Sequence, residues 1–173
     1  PAGTVWVGSG PILSAADAFT ISINGEGGHG ALPELSDDVL MTGVQIINNL
    51  QTIITRDIGL LDAALISVCS FQSGNAFNII PNKAEISGTI RTFDNNIQAL
   101  IHKRFKQIVE NTTQTFGVSG KLEIDKIVPA LVNNPEVTTE VRRLAVEIVG
   151  ENNLFTDYIS SPSDDVAEFL SRI

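Results

Sequence analysis

The order in which two hydrophobic periods alternate along the chain limits its fold more than any other feature. Apolar and polar side chains alternate over most of 17–24, 61–71, 85–91 and 121–127, which predicts four strands. Between them, the helical period of 3.6 residues over 36–55 and again from Asp94 to Gly117 predicts two helices. The order β-α-β-β-α-β is typical of the ferredoxin-like α+β fold, in which two helices cover one face of a four-stranded antiparallel sheet.

Capping signals predict where the two helices begin and end. Ser36 predicts the N-cap of the first helix, and Asp37 and Asp38 then favour its positive end. Asp94 predicts the N-cap of the second helix, and Gly117 with Gly120 predicts its end.

Residues 1–14 and 128–173 do not fit this module, so we expect three parts with boundaries at 14/15 and 127/128. Residues 4–13 are expected to be a strand that leaves a second domain, and the period after Pro135 predicts a helix that ends at Gly150. A capping box at 161–164, with Pro162 at the first helical position, predicts a last helix that runs to the end of the chain. A start without Met and a stop within that helix are what we expect of a piece of a longer protein.

Composition argues against several partners. With 11 Lys and Arg against 20 Asp and Glu, the net charge of −9 repels nucleic acid. No apolar run approaches the ~20 residues of a membrane span. The single cysteine, Cys69, cannot form an internal disulfide, which suits a reducing compartment and leads us to expect a cytoplasmic protein.

Three polar residues have both a functional and a structural interpretation. His29 lies in the glycine-rich segment 25–30, which is either a mobile surface loop or a loop that brings the imidazole close to another surface. Arg91 lies on the polar face of its strand, where it forms a cross-strand salt bridge or a bidentate clamp for a carboxylate. Asn78 caps a bulge before Pro81 or donates its amide to a substrate.

Two other chemistries find little support. The chain has two histidines, His29 and His102, and neither has a second ligand at metal-binding spacing, so no metal site is predicted. We expect His102 to be a solvated helix residue. The glycines at 25, 27 and 30 match the dinucleotide-binding pattern, but no crossover to a parallel strand follows, so we reject that match.

Three segments together resemble successive motifs of a known family. They are GGHGALP at 27–33, NAFNIIP at 75–81 and GTIRTF at 88–93. In order and spacing they resemble the M20 metallopeptidase/amidohydrolase family, in its branch of aminoacylases, hippurate hydrolases and auxin-conjugate hydrolases. The segment SDDV at 163–166 departs from the Glu-Asp-Phe that the family usually has there, so no role is assigned to Asp164.

The resemblance implies a lid and dimerisation domain, 15–127, inserted into an α/β catalytic domain, of which 1–14 and 128–173 would be the adjoining parts. It implies a homodimer that hydrolyses the amide bond of N-acyl amino acids or small peptides with two divalent metal ions (Zn, Mn or Co). His29 would stabilise the oxyanion in the partner subunit's site, and Asn78 and Arg91 would hold the substrate, with Arg91 on its carboxylate. The metal ligands and the catalytic glutamate would lie outside 1–173, so this chain alone is expected to bind no metal and to be inert.

Two interpretations from other classes compete with this one. A stand-alone ferredoxin-like regulatory module would use Arg91 and the glycine-rich loop to bind a small effector, but it would not explain the tail after Val128. An RNA-binding sheet of the same topology would need stacking aromatics on the strand at 85–91, which has none. For the dimer, we expect pairing through the edge of the strand at 61–71, with help from the helix at 36–55.

Overall fold

Ten strands and four α-helices follow one another along the residues that the computed structural model describes, 2–170 and 172. The expected end of the last helix at Ile173 lies outside these residues. In chain order the elements are β1 (Val5–Trp6), β2 (Gly10–Leu13), β3 (Ala15–Asn24), β4 (Gly28–His29), α1 (Val39–Thr52), β5 (Ala64–Ser73), β6 (Ile79–Ile80), β7 (Lys83–Thr92), α2 (Asn95–Thr115), β8 (Ser119–Val128), β9 (Leu131–Asn133), α3 (Pro135–Val149), β10 (Leu154–Phe155) and α4 (Val166–Leu170).

The four long strands form one antiparallel sheet in the order β5-β7-β3-β8. The alternation within β3 places Phe19, Ile21 and Ile23 on one face, where all three are buried. Helices α1 and α2 cover this face, and the ring of Phe19 lies 4.8 Å from that of Phe105 on α2. The predicted α+β fold, with two helices on one face of a four-stranded antiparallel sheet, is confirmed.

The two helices of the module begin and end through different devices. Helix α1 begins at Val39, with Asp38 as its N-cap accepting a hydrogen bond from the Met41 amide at 2.8 Å. The prediction of Ser36 as N-cap is wrong, because a 3₁₀ turn at Pro33–Leu35 precedes the helix and the Ser36 hydroxyl donates back to the Pro33 carbonyl. For α2, the predicted cap is confirmed, since Asp94 accepts from the amides of Asn96 and Ile97.

The far ends of the helices also differ. After Thr52, α1 widens into a π-helical turn at Ile53–Asp57, which leads to the connection with β5. Helix α2 stops two residues before Gly117, whose φ of +71° takes the chain into the left-handed region as predicted.

The segments outside the sheet form smaller pairings. Strand β1 pairs in parallel with β10, and β2 pairs antiparallel with β9. The prediction of a capping box that starts at Ser161 is wrong: α4 begins at Val166, whose amide donates to Asp164. The backbone carbonyls of Ser161 and Pro162 instead accept hydrogen bonds from Ser14, which ties them to the start of β3.

The outer face of α3 is apolar and exposed. Val137, Val141, Leu144 and Ile148 recur at helical spacing, and their exposed fractions run from 43% to 83%. Among the described residues, no helix is long and apolar enough to cross a membrane.

Candidate functional site

The candidate residues His29 and Asn78 lie together at one end of the sheet. His29 is in β4, which pairs with β6 so that His29 is opposite Ile79. The Gly30 amide donates to the Asn78 carbonyl at 2.8 Å, and the Gly25 amide donates to that of Asn82 at 3.0 Å. Backbone hydrogen bonds therefore fasten the glycine-rich loop to the segment that carries Asn78.

Two glycines allow this close approach. A Cβ atom at Gly27 would lie 2.6 Å from the Ile80 carbonyl oxygen, and one at Gly30 would lie 3.2 Å from the Asn78 carbonyl oxygen. Any larger residue at Gly27 would force the two segments apart. Of the two interpretations of this loop, the structure favours a loop that presents a side chain over a mobile one.

The imidazole of His29 is exposed, and its environment selects a tautomer. The Ala31 amide donates to Nδ1 at 3.1 Å, so Nδ1 is an acceptor and the proton of the neutral ring sits on Nε2. That Nε2–H faces no acceptor among the described residues. His29 can therefore donate a hydrogen bond to a group outside this chain.

Asn78 is also exposed, and its side-chain amide makes no hydrogen bond within the described part of the chain. The neighbouring Phe77 side chain is fully exposed. His29 and Asn78 thus offer one unused donor and one unused amide group at the same edge.

Arg91 occupies a different place, on the open face of the sheet near the far end of β7. Its guanidinium donates through one nitrogen, Nη1, to the Thr89 hydroxyl and to the Ile90 carbonyl. No carboxylate among the described residues lies within 4.0 Å of its charged nitrogens. The cross-strand salt bridge is therefore absent from the described residues, and the rest of the planar fork is free to bind an anion.

A buried polar cluster supports the strand beside Arg91. The Thr89 hydroxyl donates to the Asp17 carbonyl at 2.9 Å, and the Asp17 side chain is 1% exposed on the helix-covered face. Gln98 Nε2 donates to both carboxylate oxygens at 3.0 and 3.1 Å, and His102 Nε2 lies 2.6 Å from Oδ2. The cluster anchors the start of β3 to α2.

The expectation that His102 is a solvated helix residue is wrong, because its ring packs against Asp17. The sequence carried a signal for this cluster. Asp17 is two residues before Phe19 in β3, so its carboxylate points to the same buried face. Gln98 and His102 are four residues apart and lie on one side of α2. A buried carboxylate needs donors, and these two side chains supply them.

The two ends of the sheet are far apart. Arg91 lies eight positions along β7 from Lys83, which is next to the Asn78 segment, and this offset is roughly 26 Å at about 3.3 Å per residue. The structure therefore brings His29 and Asn78 together and holds Arg91 away from both. The described residues include no group of three or more His, Cys, Asp or Glu side chains that could hold a metal ion.

Comparison with known proteins identifies the module. A sequence model described as the peptidase dimerisation domain of the M20 family matches residues 14–115. The chain belongs to this family. The family assignment made from the three motifs is therefore confirmed.

The relatives are hydrolases. The chain is 31% identical over 171 residues to the N-acetyl-L-cysteine deacetylase of Bacillus subtilis, which covers 99% of the chain and 41% of that protein. It is 35% identical over 134 residues to the N-acyl-L-amino acid amidohydrolase of Geobacillus stearothermophilus, which covers 78% of the chain and 36% of that protein. The chain thus spans less than half the length of the curated relatives it matches.

A solved structure shares the fold. The Bacillus subtilis YXEP protein, described as a dinuclear metal binding peptidase of the M20 family, superposes with a TM-score of 0.80 at 23% identity, over 100% of this chain and 42% of that one. These comparisons support the amidohydrolase interpretation and not the stand-alone regulatory module.

Proposed function

We propose that this chain is the lid and dimerisation part of a metal-dependent amidohydrolase that cleaves the amide bond of N-acyl amino acids or small peptides. The observation that carries the proposal is the match of the dimerisation-domain family to residues 14–115, together with relatives named for the hydrolysis of N-acyl amino acids. In this proposal, 15–127 is the lid and dimerisation domain. The flanking residues 1–14 and 128–173 are parts of the catalytic domain.

The metal ions of the proposed enzyme, two of Zn, Mn or Co, do not fit this part of the chain. Its described residues offer no ligand group, so the ligands and the catalytic glutamate are assigned to the rest of the full-length protein. The chain by itself is then inert toward N-acetyl and N-benzoyl amino acids with any added divalent metal. Since its one thiol, Cys69, is free and exposed, we place the protein in the reducing cytoplasm.

The dimer is proposed to form through the edge of β5. Strands β5 and β8 are the two edges of the sheet, and they differ sharply in charge. Strand β8 carries four charged residues, which protect an edge from pairing, whereas β5 carries none. Helix α1 lies beside β5 and exposes Leu40 and Met41, which would extend the apolar surface of the interface.

Each candidate residue has a role in hydrolysis. The Nε2–H of His29 donates to the oxygen of the scissile carbonyl as negative charge develops on it. Asn78 donates or accepts at the same end of the substrate. Arg91 binds the free carboxylate of the amino acid through the part of its fork that Thr89 and Ile90 leave unused.

The distance between the two ends of the sheet supports a site that is shared between the two subunits. An N-acyl amino acid is far shorter than the roughly 26 Å between Arg91 and the Asn78 end of one chain. One substrate therefore meets Arg91 of one subunit and His29 with Asn78 of the partner. Antiparallel pairing of two β5 edges produces this arrangement, because it sets the Arg91 end of each sheet beside the Asn78 end of the other.

A heterodimer tests the proposal. A His29→Ala subunit is combined with an Arg91→Ala subunit in the full-length protein, and two different tags are used to purify the mixed dimer. If the residues act across the dimer, one site contains both variant residues and the other contains neither, so we expect about half of the wild-type kcat/KM on N-acyl amino acids, with the wild-type KM. If both residues serve one site within a chain, both sites of the mixed dimer lack a residue, and kcat/KM stays no higher than in the Arg91→Ala homodimer.

A further inference from the structure

The three most exposed large apolar side chains of the described residues lie at the two ends of β5. Phe77, in the loop after β5, is 102% exposed, and Leu60 and Leu61, in the turn before it, are 99% and 97% exposed. Contiguous apolar surface that a protein leaves exposed marks a place where another molecule binds. Their position at the two ends of the proposed dimer edge indicates that this molecule is a second copy of the chain.

Both positions are held by hydrogen bonds. The Asp62 amide donates to the Gly59 carbonyl at 3.0 Å, which closes the turn that presents Leu60 and Leu61. Phe77 directly precedes Asn78, whose carbonyl accepts from Gly30 at 2.8 Å. The three side chains are therefore displayed on fixed backbone.

A bulge in β5 determines how two copies of this strand can pair. Ala64 and Ile66 lie opposite Thr92 and Ile90 of β7, on the helix-covered face. The register shifts between Val68 and Ser70, so beyond the bulge it is the odd-numbered residues that share this face.

Two β5 strands that pair antiparallel are related by a two-fold axis perpendicular to the sheet. The helices of both subunits then lie on the same side of the joined sheet. Each residue of β5 on the helix-covered face must therefore pair with a residue on the helix-covered face of the partner. Pairing all ten residues of β5 meets this condition. Ala64 then lies opposite the partner subunit's Ser73, and Ile66 lies opposite the partner subunit's Phe71.

The same pairing brings the exposed side chains to the same end of the dimer. Because Ala64 lies opposite the partner subunit's Ser73, the turn before Ala64, with Leu60 and Leu61, lies beside the loop that follows Ser73 in the partner and carries Phe77. We propose that Phe77 of each subunit packs on Leu60 and Leu61 of its partner. This inference rests on the proposed edge-to-edge dimer and adds two symmetric apolar contacts to it.

The contact has a consequence for the site. Leu65, near the Leu60–Leu61 turn, is opposite Arg91 in the sheet, whereas Phe77 adjoins Asn78 and the loop of His29. Packing Phe77 on the partner's turn therefore holds His29 and Asn78 beside Arg91 of the other subunit. The apolar contact would fix the spacing of the two halves of the composite site.

Cysteine crosslinking in the full-length protein tests the contact. In a Cys69→Ser background, the double variant Leu60→Cys/Phe77→Cys should form a covalent dimer with a short thiol crosslinker. Either single variant should not, because its two copies lie at opposite ends of the paired β5 strands, on the order of 30 Å or more apart. The double variant Ser67→Cys/Ser70→Cys, whose positions oppose each other near the axis, reports separately on the β5 pairing by disulfide formation.

The outcomes distinguish the contact from the dimer. If the central pair crosslinks and the Leu60/Phe77 pair does not, the contact is wrong while the β5 edge dimer stands. If neither pair crosslinks, both the contact and the edge pairing are overturned.

A binding measurement provides a second test that does not depend on thiol chemistry. Phe77→Ala should raise the dissociation constant of the dimer roughly tenfold for each of the two contacts, on the order of 100-fold in all. Ile127→Ala, at an exposed apolar residue on the charged edge strand β8, is the matched control and should change the constant by less than about twofold. A Phe77→Ala constant within the range of the control would overturn the contact.

Discussion

The two ends of the four-stranded sheet hold their candidate residues in different ways. At one end, His29 and Asn78 stand on loops fastened by backbone hydrogen bonds, and their outward groups meet no partner among the described residues. At the other end, Arg91 donates to Thr89, and Thr89 donates to the backbone carbonyl of Asp17. The side-chain carboxylate of Asp17 is in turn bound by Gln98 and His102 of α2. The comparison teaches that Arg91 is positioned by hydrogen bonds within one subunit, whereas the outward groups of His29 and Asn78 have no such support among the described residues.

The largest expected effect falls on the His29 end. In the full-length enzyme, His29→Ala should lower kcat by roughly 10²–10³, because it removes a hydrogen bond made to charge that exists only in the transition state. Steady-state kinetics on an N-acyl amino acid would measure this, after circular dichroism and sedimentation confirm folding and dimerisation. A change confined to KM would contradict the oxyanion role.

The Arg91 end should respond through substrate binding. Arg91→Ala should raise KM about 10- to 100-fold for substrates with a free carboxylate, because the charge-assisted hydrogen bonds form in the ground state and the transition state alike. The carboxamide analogue of the same substrate is the control, since its KM should change little. Equal effects on both substrates would show that Arg91 does not bind the carboxylate.

Removing an anchor behind Arg91 tests whether that end depends on interactions within one subunit. His102→Ala should lower the free energy of unfolding by about 1–3 kcal/mol, because the buried Asp17 carboxylate then has only Gln98 as a side-chain donor. Lys103→Ala, at the exposed neighbouring position on α2, is the matched control and should stay within about 0.5 kcal/mol. Urea denaturation measures the free energy of unfolding of both variants. Equal values would show that the contact between His102 and Asp17 does not stabilise this end of the sheet.

The smallest expected effect comes from removing the hydrogen bond between Thr89 and Arg91. Thr89→Val keeps the shape of the side chain but removes the hydroxyl that positions Arg91, so KM for carboxylate substrates should rise about fivefold with kcat unchanged. Thr89→Ser retains the hydroxyl and should restore the wild-type KM. If Ser behaves like Val, the loss comes from packing and not from the hydrogen bond.

The fold could be predicted from the sequence because each helix and strand is indicated by residues within or next to that element. The alternation in β3 and the helical stripe of α2 each lie within one element, and Asp94 caps the helix that it directly precedes. The prediction that Ser36 caps α1 was wrong because a 3₁₀ turn begins at Pro33 and the Ser36 hydroxyl donates to the carbonyl of Pro33. The sequence pattern of a helix cap does not reveal this competing hydrogen bond.

The candidate residues were predictable one by one, but their arrangement was not. His29, Asn78 and Arg91 came from motifs, which give identity and order along the chain and no distances. Asp17 and His102 lie 85 positions apart, so their contact depends on how α2 packs on β3. The separation of Arg91 from Asn78 becomes clear only when residues 83–92 are known to form one strand, with the Asn78 segment before its first residue.

The pairing of β2 with β9 has a consequence for how such a module can be inherited. Leu13, where the chain enters the module, lies opposite Leu131, where it leaves. With its two ends side by side, such a unit can take the place of a surface loop in a host protein, and its length adds little entropic cost to closing that loop. A gene could therefore gain, lose or exchange this module at one point of the host fold without redrawing the path of the surrounding chain.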